Sequence, residues 1–447
     1  MMKLNLSTLA VCAAFACSGI ARGGELIDLY RSAVANDPRY ASARAQQESA
    51  HQAIPIARSY LLPRVTASGS YGRTEVQNDA PSFVGSRADH DYWFNSRNYS
   101  AVLSQPVYRP ATWENYRQAE WQEKQADAFL DRNLDDLKTR VVQGYLQVML
   151  AVARIDLIGQ QKNRYAQILQ QAQRAYDSGH GTITEIAESQ SRMDELLAED
   201  ASARAVYDNR LAELRNIVGD SAYKPKSPGI PAFNPALHGG LSLQEWLSLA
   251  RQNAPVIKEQ EAKVKSAEYE LNKAKAAYLP TADLRLQVGY DKDPGYTSIN
   301  VTNKTKSAML MVSVPLFEGG QTMAQSRKSA ADLTAAREAR RAAGDDLAAS
   351  IEKEYGNVTA AVVRINALVK SVTTNELLVT STKKSVAAGI RSNIDVLNAE
   401  NQLFEARLKL TSARVDYLQA LINLRAVAGV AWDDELMKID GALQAKG

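Results

Sequence analysis

The chain has 447 residues, 45% hydrophobic and 23% charged, and its 53 basic and 50 acidic side chains leave a net charge of +3. That balance is globular, excludes global disorder, and carries no electrostatic footprint for nucleic acid. The 2 cysteines, Cys12 and Cys17, lie close to the start, so the remainder has no thiol for a disulfide, a thiolate metal site or a cysteine nucleophile.

At the start, Lys3 precedes an apolar run from Leu4 to Ala16, followed by small residues. This is the pattern of a secretory signal, assigned to residues 1–23, with cleavage expected near Ala21 or Gly23. The run is too short to cross a bilayer as a helix, which takes about 20 apolar residues. Ala14-Phe15-Ala16 before Cys17 is a poor lipidation box. No later stretch is an unbroken apolar run of spanning length, so no transmembrane helix is expected.

The rest is a duplication. Ala35-Asn36-Asp37-Pro38 matches Gln252-Asn253-Ala254-Pro255, and Leu61-Leu62-Pro63 matches Tyr278-Leu279-Pro280. Gln105-Pro106-Val107-Tyr108 matches Val314-Pro315-Leu316-Phe317, and Gly179 matches Gly389. Tyr207, Leu211, Leu214, Arg215 and Gly219 match Tyr417, Leu421, Leu424, Arg425 and Gly429. Each repeat reads helix, strand, strand, very long helix, helix.

The first repeat, residues 24–219, opens with one helix ending at Pro63 and continues with a strand pair at 63–108. Val65, Ala67 and Tyr71 alternate with Thr66, Ser68 and Ser70, and Tyr99, Ala101 and Leu103 with Ser100, Val102 and Ser104. That period of two gives strands one apolar and one polar face. A proline-free long helix follows at 111–177, then a helix at 182–218. Residues 220–240 form a proline-rich connector.

The second repeat, 241–430, has its strand pair at 280–317, a long helix at 320–388 and a helix at 392–428; 431–447 is a tail. Leu284, Leu286, Val288 and Tyr290 alternate with polar neighbours, as do Ala308, Leu310, Val312 and Val314. In its long helix Ile351, Tyr355, Val358, Val362, Ile365, Val369 and Val372 step alternately by four and three, a coiled-coil seam. Leu130, Leu134, Leu137, Val141, Tyr145, Val148, Val152 and Ile155 form the equivalent seam with one extra four-step, which locally unwinds a left-handed supercoil. Each long helix would reach roughly 100 Å.

Four amphipathic strands cannot close a membrane barrel, whose smallest form has about eight. An exported chain with open edges and an apolar face must therefore share a barrel with other copies. More than two copies are favoured, because eight strands leave an interior filled with side chains.

These features resemble the TolC family of outer-membrane channel-tunnel proteins over the whole mature length. The resemblance rests on the duplication, the Leu-Pro helix ends, the proline-aromatic strand exits, and above all Ala388-Gly389-Ile390-Arg391-Ser392-Asn393-Ile394-Asp395-Val396-Leu397-Asn398-Ala399-Glu400. Ser178 to Ile186 is the counterpart in the first repeat. The resemblance implies a mostly α fold with a small membrane β part. It implies a homotrimer with a 12-stranded barrel in the outer membrane and a 12-helix coiled-coil tunnel in the periplasm.

Gly179 and Gly389 suit helix C-termini, and Thr182 or Thr184 and Ser392 or Asn393 suit N-caps of the returning helices. Asp395 and Glu185 fit capping and helix-dipole compensation. The resemblance adds a gate: Asp395 ringing the tunnel entrance, and Arg391 pairing with Glu185 as a latch. A second acidic ring is replaced here by Asn398, and a closing tyrosine by Val386. Tyr71, Tyr92, Trp93, Phe94, Tyr99, Tyr108 and Trp113 are read as a membrane-interface girdle.

No P-loop, dinucleotide fingerprint, Gly-x-Ser-x-Gly or HExxH motif is present, so neither an enzyme nor a cofactor is expected. The 4 histidines are too scattered for a metal site. The expected function is a passive exit duct joined through a periplasmic adaptor (membrane fusion) protein to an inner-membrane ABC exporter or other pump. Type I protein secretion is favoured over drug or small-molecule efflux. A periplasmic coiled-coil scaffold, the reading of a different class, leaves the strands unexplained.

Overall fold

The computed structural model describes residues 25–78, 90–225, 230, 240–293 and 301–430. The signal segment, both cysteines, His238, most of the connector, both strand-pair loops and the tail lie outside the described residues. Described elements run α1 (Glu25–Asn36), α2 (Pro38–His51), α3 (Ala53–Ser59), β1 (Arg64–Asn78), β2 (His90–Tyr108), α4 (Pro110–Asp177) and α5 (Ile183–Val218). The second half gives α6 (Leu243–Asn253), α7 (Pro255–Ala276), β3 (Thr281–Asp293), β4 (Val301–Ser313), α8 (Gln321–Ala387) and α9 (Asn393–Ala428).

The single helix expected at the head of each repeat is broken. Prolines decide where. Pro38 and Pro255 open α2 and α7, because their missing N–H ends the preceding helix while their fixed φ suits a first helical position. Asp37 Oδ1 accepts from the Tyr40 N–H at 2.8 Å and caps α2. Pro55 removes the N–H that would have bonded to the His51 carbonyl, and α3 starts anew.

The residues form two compact units. One draws on the stretches up to Arg44, Leu130–Pro255 and from Gly344 onward. It is a helical bundle whose core includes Leu137, Val141, Tyr145 and Met149 of α4, Leu214 of α5, Ile351 and Ile365 of α8, and Tyr417 and Leu421 of α9, all buried. Burying each such side chain stabilises by roughly 1.5–3 kcal/mol. This core also explains why α4, by length and composition, passes as a membrane-crossing helix: Val141, Val142, Leu146, Val148 and Met149 are apolar because they pack against protein. The duplication is visible in the packing. A Cβ on Gly219 would stand 2.4 Å from Asn36 Cβ at the end of α1, and one on Gly429 would stand 2.7 Å from the Asn253 carbonyl at the end of α6.

The seam of α8 is only partly satisfied. Ile351, Val358 and Ile365 are buried and Val369 is 41% exposed, while Val363 and Leu377, which lie off the seam, are 70% and 67% exposed. One stripe packs within the chain and another is exposed.

The second unit, Ala45–Phe129 with Val256–Ala343, holds the sheet. Its order is β1-β2-β3-β4, every pair antiparallel. The two repeats therefore join through β2 and β3. Arg109, just past β2, grips Asp283 on β3 with both ends of its guanidinium, Nε to Oδ1 at 2.8 Å and Nη2 to Oδ2 at 2.7 Å. β1 and β4 are the open edges among the described residues.

Candidate functional site

The sheet forms one candidate site. Its register stacks Val65, Leu103, Leu286 and Ala308 in one row and Ala67, Ala101, Val288 and Lys306 in the next. Gln105, Leu284 and Leu310 continue the same face toward the helices. The opposite face carries Ser68 and Ser100, whose hydroxyls meet at 2.8 Å, with Gln287, Ser307, Asn98 and Asp291. Leu286, Val288, Leu310 and Val312 are exposed, so nothing among the described residues covers the apolar face. A face of that kind belongs against lipid, and the polar face against a lumen.

Aromatic side chains frame the apolar rows. Tyr99 and Tyr290 lie side by side with ring centroids 6.1 Å apart, and Arg97 sits over Tyr71, its cross-strand partner, at 5.4 Å. Trp93 carries Arg73 at 4.9 Å. Tyr108 frames the other end. A bulge between Pro106 and Tyr108 shifts the register by one residue and sets Tyr108 opposite Ala282 on the apolar face. At about 3.3 Å per residue and a tilt of about 40°, the stretch from Tyr99 to Tyr108 covers roughly 23 Å of height, close to the apolar band of about 25 Å of an outer-membrane barrel. The backbone of Tyr92 pairs with Val76, and its side chain is outside the described residues.

The second site is the pair of helix turns, α4 to α5 and α8 to α9. Gly179 and Gly389 have φ of 76° and 73°, the left-handed conformation a helix end needs. The two turns close alike: His180 N–H donates to the Ala175 carbonyl at 2.8 Å, and Ile390 N–H to the Ser385 carbonyl at 2.9 Å. Thr182 caps α5, accepting from the Glu185 N–H at 3.3 Å. Ser392 caps α9, and the Asp395 carboxylate accepts from the Ser392 N–H at 3.1 Å and its hydroxyl at 3.2 Å. Glu185 and Asp395 thus occupy the same third position of duplicated helices.

Arg391 and Asn398 are exposed. Among the described residues, neither Arg391 nor the Glu185 carboxylate has an ion-pair partner within the chain, so the structure does not bring the two together. Val386 packs on a core made by Ile158, Tyr165 and Ile168 of α4, Met193 and Leu196 of α5, and Val396, Leu397 and Phe404 of α9.

Sequence reasoning missed the charged cluster behind these turns. Glu400 has a side chain only 2% exposed. It accepts from Arg164 Nη1 of α4 at 2.7 Å and from Lys383 Nζ of α8 at 2.6 Å. A carboxylate on an otherwise buried helix position was the available signal. Among the described residues, no group of His, Cys, Asp and Glu side chains is placed to hold a metal ion.

The chain matches the outer membrane efflux protein family over residues 29–220 and 246–430, one match on each repeat. The chain belongs to the outer membrane efflux protein family. It is 30% identical over 418 residues to the alkaline protease secretion protein AprF of Pseudomonas aeruginosa, covering 92% of this chain and 85% of the relative. The proteases secretion protein PrtF of Dickeya chrysanthemi is 27% identical over 433 residues, 96% of this chain and 93% of PrtF. The fold is that of the Campylobacter jejuni CmeC outer membrane channel, with a TM-score of 0.78 at 17% identity over 94% of this chain and 90% of that one. Membership places this efflux family protein in the outer membrane, with its helical part in the periplasm.

Proposed function

We propose that this chain is the outer-membrane exit duct of a tripartite export system and that its cargo is protein, as in type I secretion. The observation that carries the duct is the uncovered apolar face on a sheet with two open edges. Three copies supply twelve strands, enough for a barrel with a lumen. The exposed stripe on α8 supports helix packing between copies. The similarity to AprF and PrtF, both named for protease secretion, supports protein as cargo. With no nucleotide-binding fingerprint in the sequence, the driving energy comes from an inner-membrane ABC exporter or other pump, engaged through a periplasmic adaptor.

At the turns, Asp395 from each copy forms an acidic ring on the tunnel axis, and Arg391 pairs with Glu185 across a subunit boundary. That neither Arg391 nor Glu185 has an ion-pair partner among the described residues supports a partner outside the chain. Asn398 leaves the ring without a second acidic tier.

The test compares the culture-supernatant proteome of a deletion strain with that of the complemented strain. Loss of one or a few secreted proteins, with dye and drug accumulation unchanged, is expected. An unchanged proteome with raised accumulation would overturn protein secretion in favour of small-molecule efflux.

A further inference from the structure

The apolar face of the sheet changes character along its length. Rows near the helices carry Leu284, Leu310, Leu103 and Leu286. Toward the strand-pair loops the same face carries Lys306 opposite Val288, Lys304 opposite Tyr290, Arg97 opposite Tyr71 with Lys292 beside it, and Arg73 one row beyond. Each of the four strands contributes a base. Among the described residues of this face Glu75 and, by register, Asp91 are the opposing carboxylates, while Asp291 and Asp283 lie on the other face.

None of the five bases is ion-paired among the described residues. Arg73, Arg97, Lys304 and Lys306 are exposed. A lipid-facing base is costly at the bilayer midplane and tolerated near the interface, so the bases at the Tyr290 row and beyond belong at headgroup level, with Lys306 one row inside that edge. There, like charges side by side require an anion. Arg73 and Arg97 lie over Trp93 and Tyr71, which braces each guanidinium on the ring face and leaves its N–H groups for bidentate contact with a phosphate.

We propose that this belt is a binding surface for the phosphate groups of the phosphorylated glycolipid in the outer leaflet. The assignment rests on the outer-membrane duct reading: with the helices in the periplasm, the strand-pair loops face outward, and so does the belt. The bases lie on the lipid side of the wall and the acidic Asp291 on the lumen side, so the ligand is a membrane component and the cargo path stays free of it.

The test uses the full-length oligomer extracted from outer membranes and stripped of lipid. Native mass spectrometry counts bound bisphosphorylated lipid A, dephosphorylated lipid A or phosphatidylglycerol. The wild type is expected to retain the bisphosphorylated form at least about tenfold better than the dephosphorylated one, since several cations meet the phosphates together. Combined Arg73→Gln, Arg97→Gln, Lys304→Gln and Lys306→Gln should abolish the preference, and Arg285→Gln on the opposite face should not. No phosphate preference in the wild type, which needs no variant to read, overturns the proposal. Equal retention of phosphatidylglycerol, or equal loss in Arg285→Gln, also overturns it. Planar-bilayer conductance separates the two readings: a wild type that conducts without phosphate preference loses the lipid surface and keeps the duct, whereas one that neither inserts nor conducts loses the duct.

Discussion

Arg164 of α4 donates to Glu400 of α9 at 2.7 Å across 236 residues of sequence, tying the first repeat to the second just behind the helix turns. Lys383 holds the other carboxylate oxygen at 2.6 Å. Removing one partner of a buried charge is costly because the other is left uncompensated. Arg164 is part-exposed, which reduces the loss, so Arg164→Ala should destabilise by about 1–3 kcal/mol. Arg210→Ala, which breaks an exposed pair with Glu213 one turn away, should cost about 0–0.5 kcal/mol. Thermal midpoints of the two variants check the contrast. Equal midpoints would contradict it.

Asp395 serves two roles that one pair of variants separates. Its carboxylate caps α9, and its charge belongs to the proposed ring. Asp395→Asn keeps an acceptor for the Ser392 N–H and removes the charge, so cation selectivity should fall with stability nearly unchanged. Asp395→Ala should lower selectivity equally and also cost about 1 kcal/mol of stability. Reversal potentials in asymmetric salt read the first effect. Unaltered selectivity in Asp395→Asn would remove the ring.

Arg391 and Glu185, neither with an ion-pair partner among the described residues, form the proposed latch between copies. Arg391→Ala or Glu185→Ala should raise closed-state conductance in a planar bilayer by several-fold, and the double variant should add little to either. Additive effects, or unchanged conductance in both single variants, would contradict a direct pair.

Two groups give stability opposite pH dependences. Burial pushes the Asp37 carboxyl up, but hydrogen bonds from Arg140 and the Tyr40 N–H outweigh it and hold the group below the usual carboxylate range. Its folded value lies below its unfolded value of about 3.9. Its contribution is therefore complete above that value and lost as pH falls through the folded one. His51 is raised, chiefly by its hydrogen bond to Asp127 at 2.9 Å. Its contribution is complete below about 6.5 and lost as pH rises through the folded value. Asp37→Asn should flatten the acid limb of the midpoint–pH curve, and His51→Gln the limb above about pH 6.5 by a smaller amount, since His51 is part-exposed. An unaltered acid limb in Asp37→Asn would contradict the first.

Periodicity made the sheet legible. Leu284, Leu286, Val288 and Tyr290 alternate in the sequence and share a face in β3. The bulge at Val107 was not legible, because a one-residue shift leaves the local pattern intact while moving Tyr108 to the apolar face. The breaks at Pro38 and Pro255 were marked by the prolines themselves, yet amphipathic spacing carries on across them and reads as one helix. The turns were legible through Gly179 and Gly389, whose conformation is local. The Glu400 cluster was not, because its partners on α4 and α8 are set by packing of distant helices.

In the proposed duct, copies of this chain share one barrel, and the mass of the native oligomer extracted from outer membranes tests that directly. Native mass spectrometry should give three chain masses, with twelve strands around a lumen. A single chain or a dimer would contradict the claim, since neither four nor eight strands encloses an open channel.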